Sequence, residues 1–303
     1  MTLKNEPIFS TIYATLDSKL EQSMHIGEVR LAHELGNLKS KDSVVADYND
    51  NLDVNPNSIM GILKMIDAEM PEVTHVKIVS PYLFLEEYLL NAGGTIPQDQ
   101  NLSKDWLDQD PNRTIEIITN SILTSDNFFT QAVIDMHTGP TLLLREAPEI
   151  TEIWLDRDLS KNERNPEFTE SPKWKELVNN PRIRVYQTGK IDSKKLGGDK
   201  YYGKLHAKFI LTNELGFVGT SNFEFRSMLF NSEVGFFRRG DKPLAELEKE
   251  FQLLKSQSYE WGTPEWFEMR EAVRQAGGVK GFTTKSQRTI YKILEKTGLR
   301  FQF

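Results

Sequence analysis

Two charged side chains stand two positions apart in a stretch with the composition of a strand. The stretch, Leu205–Thr212 (LHAKFILT), is largely apolar and carries His206 and Lys208. Because alternate residues of a strand project from the same face, this spacing presents an imidazole beside an ammonium. An imidazole acts as a nucleophile or a base, and an ammonium stabilises negative charge, so the pair is suited to chemistry at a charged centre.

Neutral hydrogen-bonding groups follow in the next predicted strand. A turn at 213–216 reverses the chain, and the strand after it ends in Gly-Thr-Ser-Asn at 219–222. The glycine permits a close backbone approach, while Thr220 and Asn222 offer a hydroxyl and an amide. The combined set suits a phosphodiester, because the imidazole can attack phosphorus while Lys208 and the amide stabilise the charged equatorial oxygens.

This segment resembles the phospholipase D superfamily, whose signature is H-x-K-x4-D followed by G-S-x-N. The letters HAK at 206–208 match the first element, and GTSN at 219–222 matches the second with Thr for the usual Ser. The letters FEFRS at 223–227 and NSE at 231–233 are similar to the second motif of bacterial phospholipase D and cardiolipin synthase enzymes, G-[ST]-x-N-x-D-x-R-S followed by N-x-E. A looser resemblance extends over 45–240.

The resemblance implies a role for each matching residue. In this family the His is the nucleophile or the general acid, the Lys and Asn bind phosphate, and a carboxylate orients the His. By match, the catalytic residues are His206, Lys208, Asn222 and Glu233, the substrate-binding residues are Lys208, Thr220 and Asn222, and the structural residues of the motif are Asn213, Gly219 and Arg226. The family chemistry proceeds through a phosphohistidine and implies no metal and no other cofactor.

One departure from the family pattern lies in the turn after the His-x-Lys element. Asn213 stands where the family has Asp, and the spacing from there to Gly219 is one residue short. Glu214 is an alternative stand-in for the Asp if the turn is rebuilt. Because that Asp is mainly structural in the family, we expect a weakened turn and intact chemistry.

A second departure is that the chain has one motif, whereas the family builds its active site from two. His75-Val-Lys77 repeats the spacing, but Tyr82 stands at the Asp position and no Gly-Ser-x-Asn follows, so we predict the first strand of the sheet there. Either two copies of His206 face each other in a homodimer, or the chain is the C-terminal half of a longer protein. The second alternative is favoured, with residues 1–43 as the tail of the missing first half.

Strands and helices alternate around the motif, which predicts an α/β fold, namely an α/β/α sandwich with a mixed, mostly parallel central sheet. Strands are predicted at 75–80, 114–119, 182–187, 205–212, 217–221 and 233–238. Helices are predicted within 12–35, at 58–69 and 83–92, from an Asp126 cap through 137 where Gly139–Pro140 ends the helix, and at 245–259, from Pro264 and at 284–298. The run 156–181, with three prolines, is predicted to be irregular.

Three regions follow from this division. Residues 1–55 are expected to form an N-terminal helical segment and linker, a remnant of a first half. Residues 56–242 form the predicted phospholipase D-like catalytic domain, and residues 243–303 a C-terminal helical extension.

Composition restricts the class of protein. The absence of cysteine excludes disulfides, thiolate metal sites and a Cys nucleophile. The longest apolar runs fall far short of the ~18 residues that a membrane span needs, and the first residues lack the pattern of a secretory signal. The net charge of −7 argues against a broad nucleic-acid-binding face. The chain is therefore expected to be soluble or peripheral to a membrane.

The predicted function is hydrolysis or transfer at a phospholipid phosphodiester bond. Two alternatives stay open. One is a nuclease of the same superfamily with a local basic groove, for which the candidate cations are Arg182, Arg184, Lys190, Lys194, Lys195 and Lys204. The other is a non-catalytic half that binds lipid or phosphate, because the second motif is missing.

Overall fold

A computed structural model describes residues 29–34, 73–83, 106–144, 147–190, 204–224, 226–227 and 231–299. Several predicted features lie outside these residues. They are the helix at 58–69, residues 84–92 of the helix at 83–92, and the cations Lys194 and Lys195. Of the described helices, none combines the length and apolar character needed to cross a bilayer.

Among the described residues, one eight-stranded sheet forms the centre, in the order β1-β7-β6-β5-β2-β3-β4-β8. The strands are β1 Val29–Glu34, β2 His75–Val79, β3 Thr114–Thr119, β4 Ile183–Thr188, β5 Phe209–Thr212, β6 Gly216–Gly219, β7 Glu233–Arg238 and β8 Ser258–Glu260. The helices are α1 Phe128–Val133, α2 Gly139–Leu144, α3 Pro148–Leu155, α4 Pro166–Thr169, α5 Pro172–Val178, α6 Asp241–Ser256, α7 Pro264–Ala276 and α8 Gly278–Thr297, and a π-helical segment, Ile134–Thr138, joins α1 to α2.

The directions of the strands match the prediction in part. The mixed α/β architecture is confirmed, with β2, β3 and β4 parallel to one another. The other five of the seven pairings are antiparallel, so the sheet is mostly antiparallel and not mostly parallel. At β5 and β6 the reason is the length of the connection, because the turn at 213–215 is too short for a parallel crossover.

Helices cover both faces of the sheet, as the sandwich prediction requires. Adjacent residues of β3 point to opposite faces. Ile117 is buried in a cluster with Trp154 of α3 and Trp266 of α7. Ile118 is buried in a second cluster with Phe251 of α6. The amphipathic α6 therefore covers one face, while the aromatic cluster fills the space beneath the helices of the other.

The strand predicted at Leu205–Thr212 is shorter than expected, and β5 begins only at Phe209. Its neighbour β2 ends at Val79, which pairs with Phe209 in the register of the two strands. Residues 204–208 therefore have no pairing partner on β2. The segment that carries His206 and Lys208 approaches the sheet as a loop.

Helix is the wrong prediction for 29–34, which form β1. This strand pairs along its whole length with β7, from Val29 opposite Arg238 to Glu34 opposite Glu233. The pairing partner lies some two hundred positions away in the sequence, so a local pattern cannot reveal it.

The helix predicted from Asp126 begins one residue later and does not end at Gly139–Pro140. Asn127 is the cap, and its Oδ1 accepts two main-chain N–H groups of the first turn, at 3.0 and 3.1 Å. The π-helical segment then interrupts the ladder, with a bond from the N–H of Gly139 to the carbonyl of Ile134. Pro140, which has no N–H, falls in the first turn of α2, where helices leave donors unpaired.

The run 156–181 contains the two short helices α4 and α5, so the prediction of irregular chain is wrong there. Pro166 and Pro172 are the first residues of these helices, behind the caps Asn165 and Ser171. Proline at the first helical position loses no hydrogen bond and already has the right φ. The prolines therefore begin helices here.

Three arginines and two carboxylates are buried together beneath α7 and α8. We refer to Asp135, Glu163, Arg270, Arg274 and Arg288 as the buried charge cluster. Arg270 lies 2.7 Å from Asp135 and 2.8 Å from Glu163, and Arg288 lies 2.6 Å from Glu163. Arg274 also binds Glu163. Burial and the neighbouring charge of Arg270 lower the pKa of Arg288 to about 9.

The buried charge cluster joins the helices to the sheet. Asp135 accepts hydrogen bonds from the side-chain amides of Gln131, Gln187 and Gln287, at 2.9, 2.6 and 2.7 Å. Gln187 belongs to β4, and its amide oxygen accepts from the indole of Trp266 at 2.5 Å. Because buried charges must be paired and hydrogen-bonded, this network holds α1, α7, α8 and β4 in one arrangement.

Candidate active site

His206 and Lys208 meet at the point where the chain enters β5. The ammonium of Lys208 lies 3.1 Å from Nδ1 of His206 and 2.8 Å from its main-chain carbonyl. An ammonium has no lone pair, so Nδ1 accepts this bond and the neutral ring carries its proton on Nε2. His206 is exposed, whereas Lys208 is 7% exposed. The structure thus presents the two groups side by side, as their spacing predicts.

The end of β6 holds Lys208 in place. The N–H of Gly219 donates to the carbonyl of Lys208 at 3.2 Å, which continues the β5–β6 pairing beyond the named strands. A side chain at position 219 would not fit, because a Cβ there would lie 2.6 Å from the ring of Phe217. Gly219 therefore supports the motif by allowing this close approach.

Thr220 and Glu233 bind each other. The hydroxyl of Thr220 donates to the carboxylate of Glu233 and accepts the main-chain N–H of Val234 at 3.0 Å. Glu233 was expected to orient His206, but the imidazole is not among its hydrogen-bond partners in the described residues. The carboxylate is engaged by Thr220 because that hydroxyl is fixed against β7. Its influence on the site is electrostatic, through the charge that it places near Lys208.

Asn222 is held by Glu224, a residue that does not belong to the matched His, Lys and Asn positions of the motif. The amide Nδ2 of Asn222 donates to Oε1 of Glu224 at 2.9 Å, and the hydroxyl of Ser227 lies 3.4 Å from the same oxygen. Glu224 is almost fully buried. The available signal was its position, since it stands where the family pattern G-[ST]-x-N-x-D has its acidic residue.

Burial shifts the pKa of Lys208 down and the pKa of Glu224 up, and both shifts favour the neutral form of the side chain. Burial lowers the pKa of Lys208, and the negative charges of Glu224, Glu233 and Asp126 oppose that shift in part. Burial likewise raises the pKa of Glu224, against the hydrogen bond from Asn222. A bound phosphate would favour the charged form of Lys208, so the site is suited to an anion.

The charge of Glu224 is expected to set the alkaline limit of activity. The family resemblance implies that Lys208 binds phosphate, which requires the protonated ammonium, so activity is expected to fall as pH rises through its pKa. Replacing Glu224 by Gln removes the charge that most strongly opposes the lowering of that pKa. We expect the alkaline limb of the rate profile to move to lower pH in E224Q, measured as kcat/KM against pH. In E214Q, at the exposed tip of the β5–β6 turn, the limb should not move.

A second set of polar groups faces this motif from β2 and the loop before α1. The hydroxyl of Tyr82 donates to Asp126, and the ammonium of Lys204 donates to the other carboxylate oxygen of Asp126 at 3.0 Å. Burial raises the pKa of Tyr82, and Asp126 raises it further. Burial also acts to raise the pKa of Asp126, but the bonds from Tyr82 and Lys204 outweigh it and lower that pKa. Asp126 therefore stays ionised.

Ser80, at the end of β2, joins the two sets. Its hydroxyl accepts the main-chain N–H of Phe223 at 3.1 Å and donates to the carbonyl of Tyr82 at 2.5 Å. Leu83 and Phe223 form an isolated bridge next to it. The segment after Asn222 is therefore docked on the C-terminal end of β2, and the charge of Glu224 reaches Tyr82.

Asn213 lies at the opposite end of the strands from His206. Its side-chain oxygen accepts the main-chain N–H groups of Thr74 and His75, at 2.9 and 3.4 Å. This connects the β5–β6 turn to the start of β2. Glu214 does not take that place, since it lies at the exposed turn and accepts from the Asn213 amide at 3.1 Å.

Arg226 is exposed, and its charge acts to lower the pKa of Glu224. The cations of the alternative basic groove that the structure describes are engaged by acidic residues. Lys204 binds Asp126, Arg184 lies 2.6 Å from Glu260, Lys190 lies 2.8 Å from Glu265, and Arg182 lies 3.8 Å from Asp108.

No protein-family model and no curated protein matches this sequence. Phosphatidylserine synthase from Haemophilus influenzae Rd KW20 is a similar solved structure, with 14% identity and a TM-score of 0.48 over 90% of this chain and 47% of that one. The chain thus spans about half the length of that protein. NucT from Helicobacter pylori has 13% identity and a TM-score of 0.41, over 77% of this chain and 100% of the other.

Nuc from Salmonella typhimurium, described as a phospholipase D family member, has 11% identity and a TM-score of 0.35 over 77% of this chain and 97% of that one. That family is the one that the motif of this chain resembles. All three TM-scores lie below 0.5, so the functional conclusions rest on the residues and contacts described above.

Proposed function

We propose that the chain is a phosphodiesterase or phosphatidyltransferase of the phospholipase D type that acts on phospholipid phosphodiester bonds. The observation that carries the proposal is the contact between the His206 imidazole and the Lys208 ammonium, together with Glu224, which binds the Asn222 amide and whose charge acts on Lys208. A nucleophile, a cation and an amide donor around one point are what attack at a phosphodiester requires.

Nε2 of His206 attacks phosphorus, and the bond from phosphorus to the alcohol oxygen breaks. The phosphoryl group is then covalently attached to the ring, and the departing alkoxide takes a proton from an acid. Water or a second alcohol next attacks phosphorus and loses its proton, and the P–N bond breaks to restore the imidazole. Lys208 and the Asn222 amide hold the equatorial oxygens in both steps.

The proton on Nε2 must leave before attack. In the free site Nδ1 accepts from Lys208, which keeps the ring proton on Nε2. A bound phosphate competes for that ammonium. Once Lys208 turns to the phosphate, Nδ1 can hold the ring proton and Nε2 gains the lone pair that attacks. Substrate binding and activation of the nucleophile are then one event.

A second motif-bearing half is proposed to supply the acid that protonates the leaving alcohol. The source is a second copy of this chain or the N-terminal half of a longer protein. Activity that rises faster than linearly with protein concentration would support a homodimer, because the active species is then the dimer.

A lipid substrate is favoured over nucleic acid because the described cations of the alternative groove are already paired with acids. The net charge of −7 agrees with this preference. The nuclease of the same superfamily and the non-catalytic phosphate- or lipid-binding half remain the competing functions.

Covalent trapping tests the proposal. The protein is incubated with bis-p-nitrophenyl phosphate or with a radiolabelled phospholipid, quenched quickly and analysed by mass spectrometry. We expect a phosphoryl or phosphatidyl adduct on the peptide that contains His206, and none on the peptide that contains His75. Binding of phosphate or lipid without any adduct or turnover, also when a complementary half is added, would establish the binding-module alternative.

A further inference from the structure

The turn between α7 and α8 exposes two large apolar side chains. We refer to Gly277–Phe282 as the hairpin tip. Val279 is 76% exposed and Phe282 is 69% exposed, the highest values among the large apolar residues that the structure describes. Gly277 and Gly278 both have positive φ, 73° and 64°, so the turn is tight and the two side chains lie at its end.

The hairpin tip is held firmly from below. A Cβ at Gly281 would lie 2.9 Å from the carbonyl of Val273, so the start of α8 packs directly on the end of α7. Thr283, Thr284 and Gln287, on the inner face of α8, are buried. The exposure of Val279 and Phe282 therefore belongs to a fixed outward surface of a packed helix pair.

Charge is segregated around the hairpin tip. The sequence contains no Asp or Glu between Glu271 and Glu295, in a chain with 44 acidic residues. Within this interval Lys280, Lys285 and Lys292 are exposed. Two exposed apolar side chains in a stretch whose charged residues are all cations match the chemistry of an anionic bilayer, which accepts apolar groups below its headgroups and attracts cations at its surface.

The hairpin tip also borders the candidate active site. A cleft of about 420 Å³ extends from Val279 and Lys280 to Asp126 and Lys204, and its lining also includes Leu123 and Phe128. Asp126 and Lys204 belong to the polar set that faces the His206 motif. Burial and the charge of Lys204 lower the pKa of Lys280, which agrees with the closeness of the two cations.

We propose that the hairpin tip is a membrane-docking surface, in which Val279 and Phe282 insert among the headgroups of an anionic bilayer and the cleft behind them receives a lipid head group. The docking proposal depends only on the exposed apolar side chains of the hairpin tip and on the charges near them. The delivery of substrate to His206 rests on the proposed function. A nucleic-acid surface would also need lysines, but it has no use for an exposed Val at its centre.

Vesicle binding tests the docking without any turnover. The variant V279S/F282S is compared with wild type and with the matched control L253S/I293S, which loses two apolar side chains of 50% and 54% exposure elsewhere on α6 and α8. We expect wild type and control to sediment with phosphatidylcholine vesicles that contain phosphatidylglycerol. V279S/F282S should show at least a ~10-fold weaker partition, with an unchanged thermal unfolding curve.

Turnover separates the two proposals. Hydrolysis of soluble bis-p-nitrophenyl phosphate should be the same in wild type and in F282S, whose changed side chain does not line the cleft, while hydrolysis of vesicle lipid by V279S/F282S should fall with binding. Equal vesicle binding by V279S/F282S and wild type would overturn the docking, whatever the activity. So would wild type that binds a single-stranded oligonucleotide and no vesicles. Wild type that binds vesicles through the hairpin tip but never cleaves either substrate, also when a complementary half is added, would support the docking and overturn the proposed catalysis.

Discussion

Replacing His206 by Ala is expected to abolish turnover of bis-p-nitrophenyl phosphate, with kcat reduced by at least ~10³-fold. The variant removes the group proposed to form the covalent bond, while Lys208 keeps its hydrogen bond to the carbonyl of residue 206, 2.8 Å away. His206 is exposed, so the free energy of unfolding should change by no more than about 0.5 kcal/mol. A loss of activity without a loss of stability is therefore the expected result.

His75 provides the matched control, because His75-Val-Lys77 has the same spacing. It lies at the opposite end of β2 from Tyr82, and its ring is 2.8 Å from the hydroxyl of Thr74. Lys77 is engaged by Glu248 at 2.6 Å on the face covered by α6. H75A should retain wild-type kcat. An H206A protein that still turns over at the wild-type rate would remove the proposed nucleophile.

Replacing Arg270 by Met is expected to lower the free energy of unfolding by about 3–5 kcal/mol. Arg270 is completely buried and binds Asp135, Glu163 and Gln287, and its guanidinium lies 4.7 Å from the centre of the Trp266 ring. The methionine fills much of the volume but leaves Asp135 buried without its cation. Urea unfolding followed by tryptophan fluorescence gives the measurement.

Two further variants test whether the loss of stability in R270M comes from the buried carboxylate that it leaves unpaired. Arg164 is exposed and lies 3.8 Å from Glu271 at the surface, so R164M should cost less than about 1 kcal/mol. The double variant R270M/D135N removes the unpaired charge as well as its partner, and we expect it to be more stable than R270M alone. If the double variant is less stable than R270M, the loss does not come from the uncompensated carboxylate.

Elements with strong local signals agree with the sequence analysis. The β-branched runs that form β2 and β3 are strands, and the strand predicted at Glu233–Arg238 has the observed bounds. Thr263 caps α7, with Pro264 as its first residue, as predicted from that pair. In each case the deciding information lies within a few neighbouring residues.

Features that depend on distant partners could not be predicted. Asp126 is of a residue type that commonly caps helices, but its carboxylate binds Tyr82 and Lys204, which are 44 and 78 positions away in the sequence. Glu163 and Arg270 are residue types normally found at the surface, and their burial together depends on the packing of α8 against both α7 and the π-helical segment. The direction of the edge strands similarly depends on pairings such as β1 with β7.

The candidate site is predictable in its members and less so in its contacts. His206, Lys208 and Gly219 come together where the chain enters β5 and leaves β6, and Asn222 is joined to them through Glu224, whose charge acts on Lys208. The bond between Thr220 and Glu233 was not foreseen, because it depends on how β7 lies beside β6.

The hairpin arrangement of β5, β6 and β7 means that the imidazole, the ammonium, the amide and both nearby glutamates come from one uninterrupted run, residues 206–233. Contacts within such a short run form with little loss of chain entropy. The residues of the candidate site are therefore close together in the sequence as well as in space. A second set of these residues could therefore be supplied by a copy of the same short stretch, either through duplication within one chain or through association of two molecules.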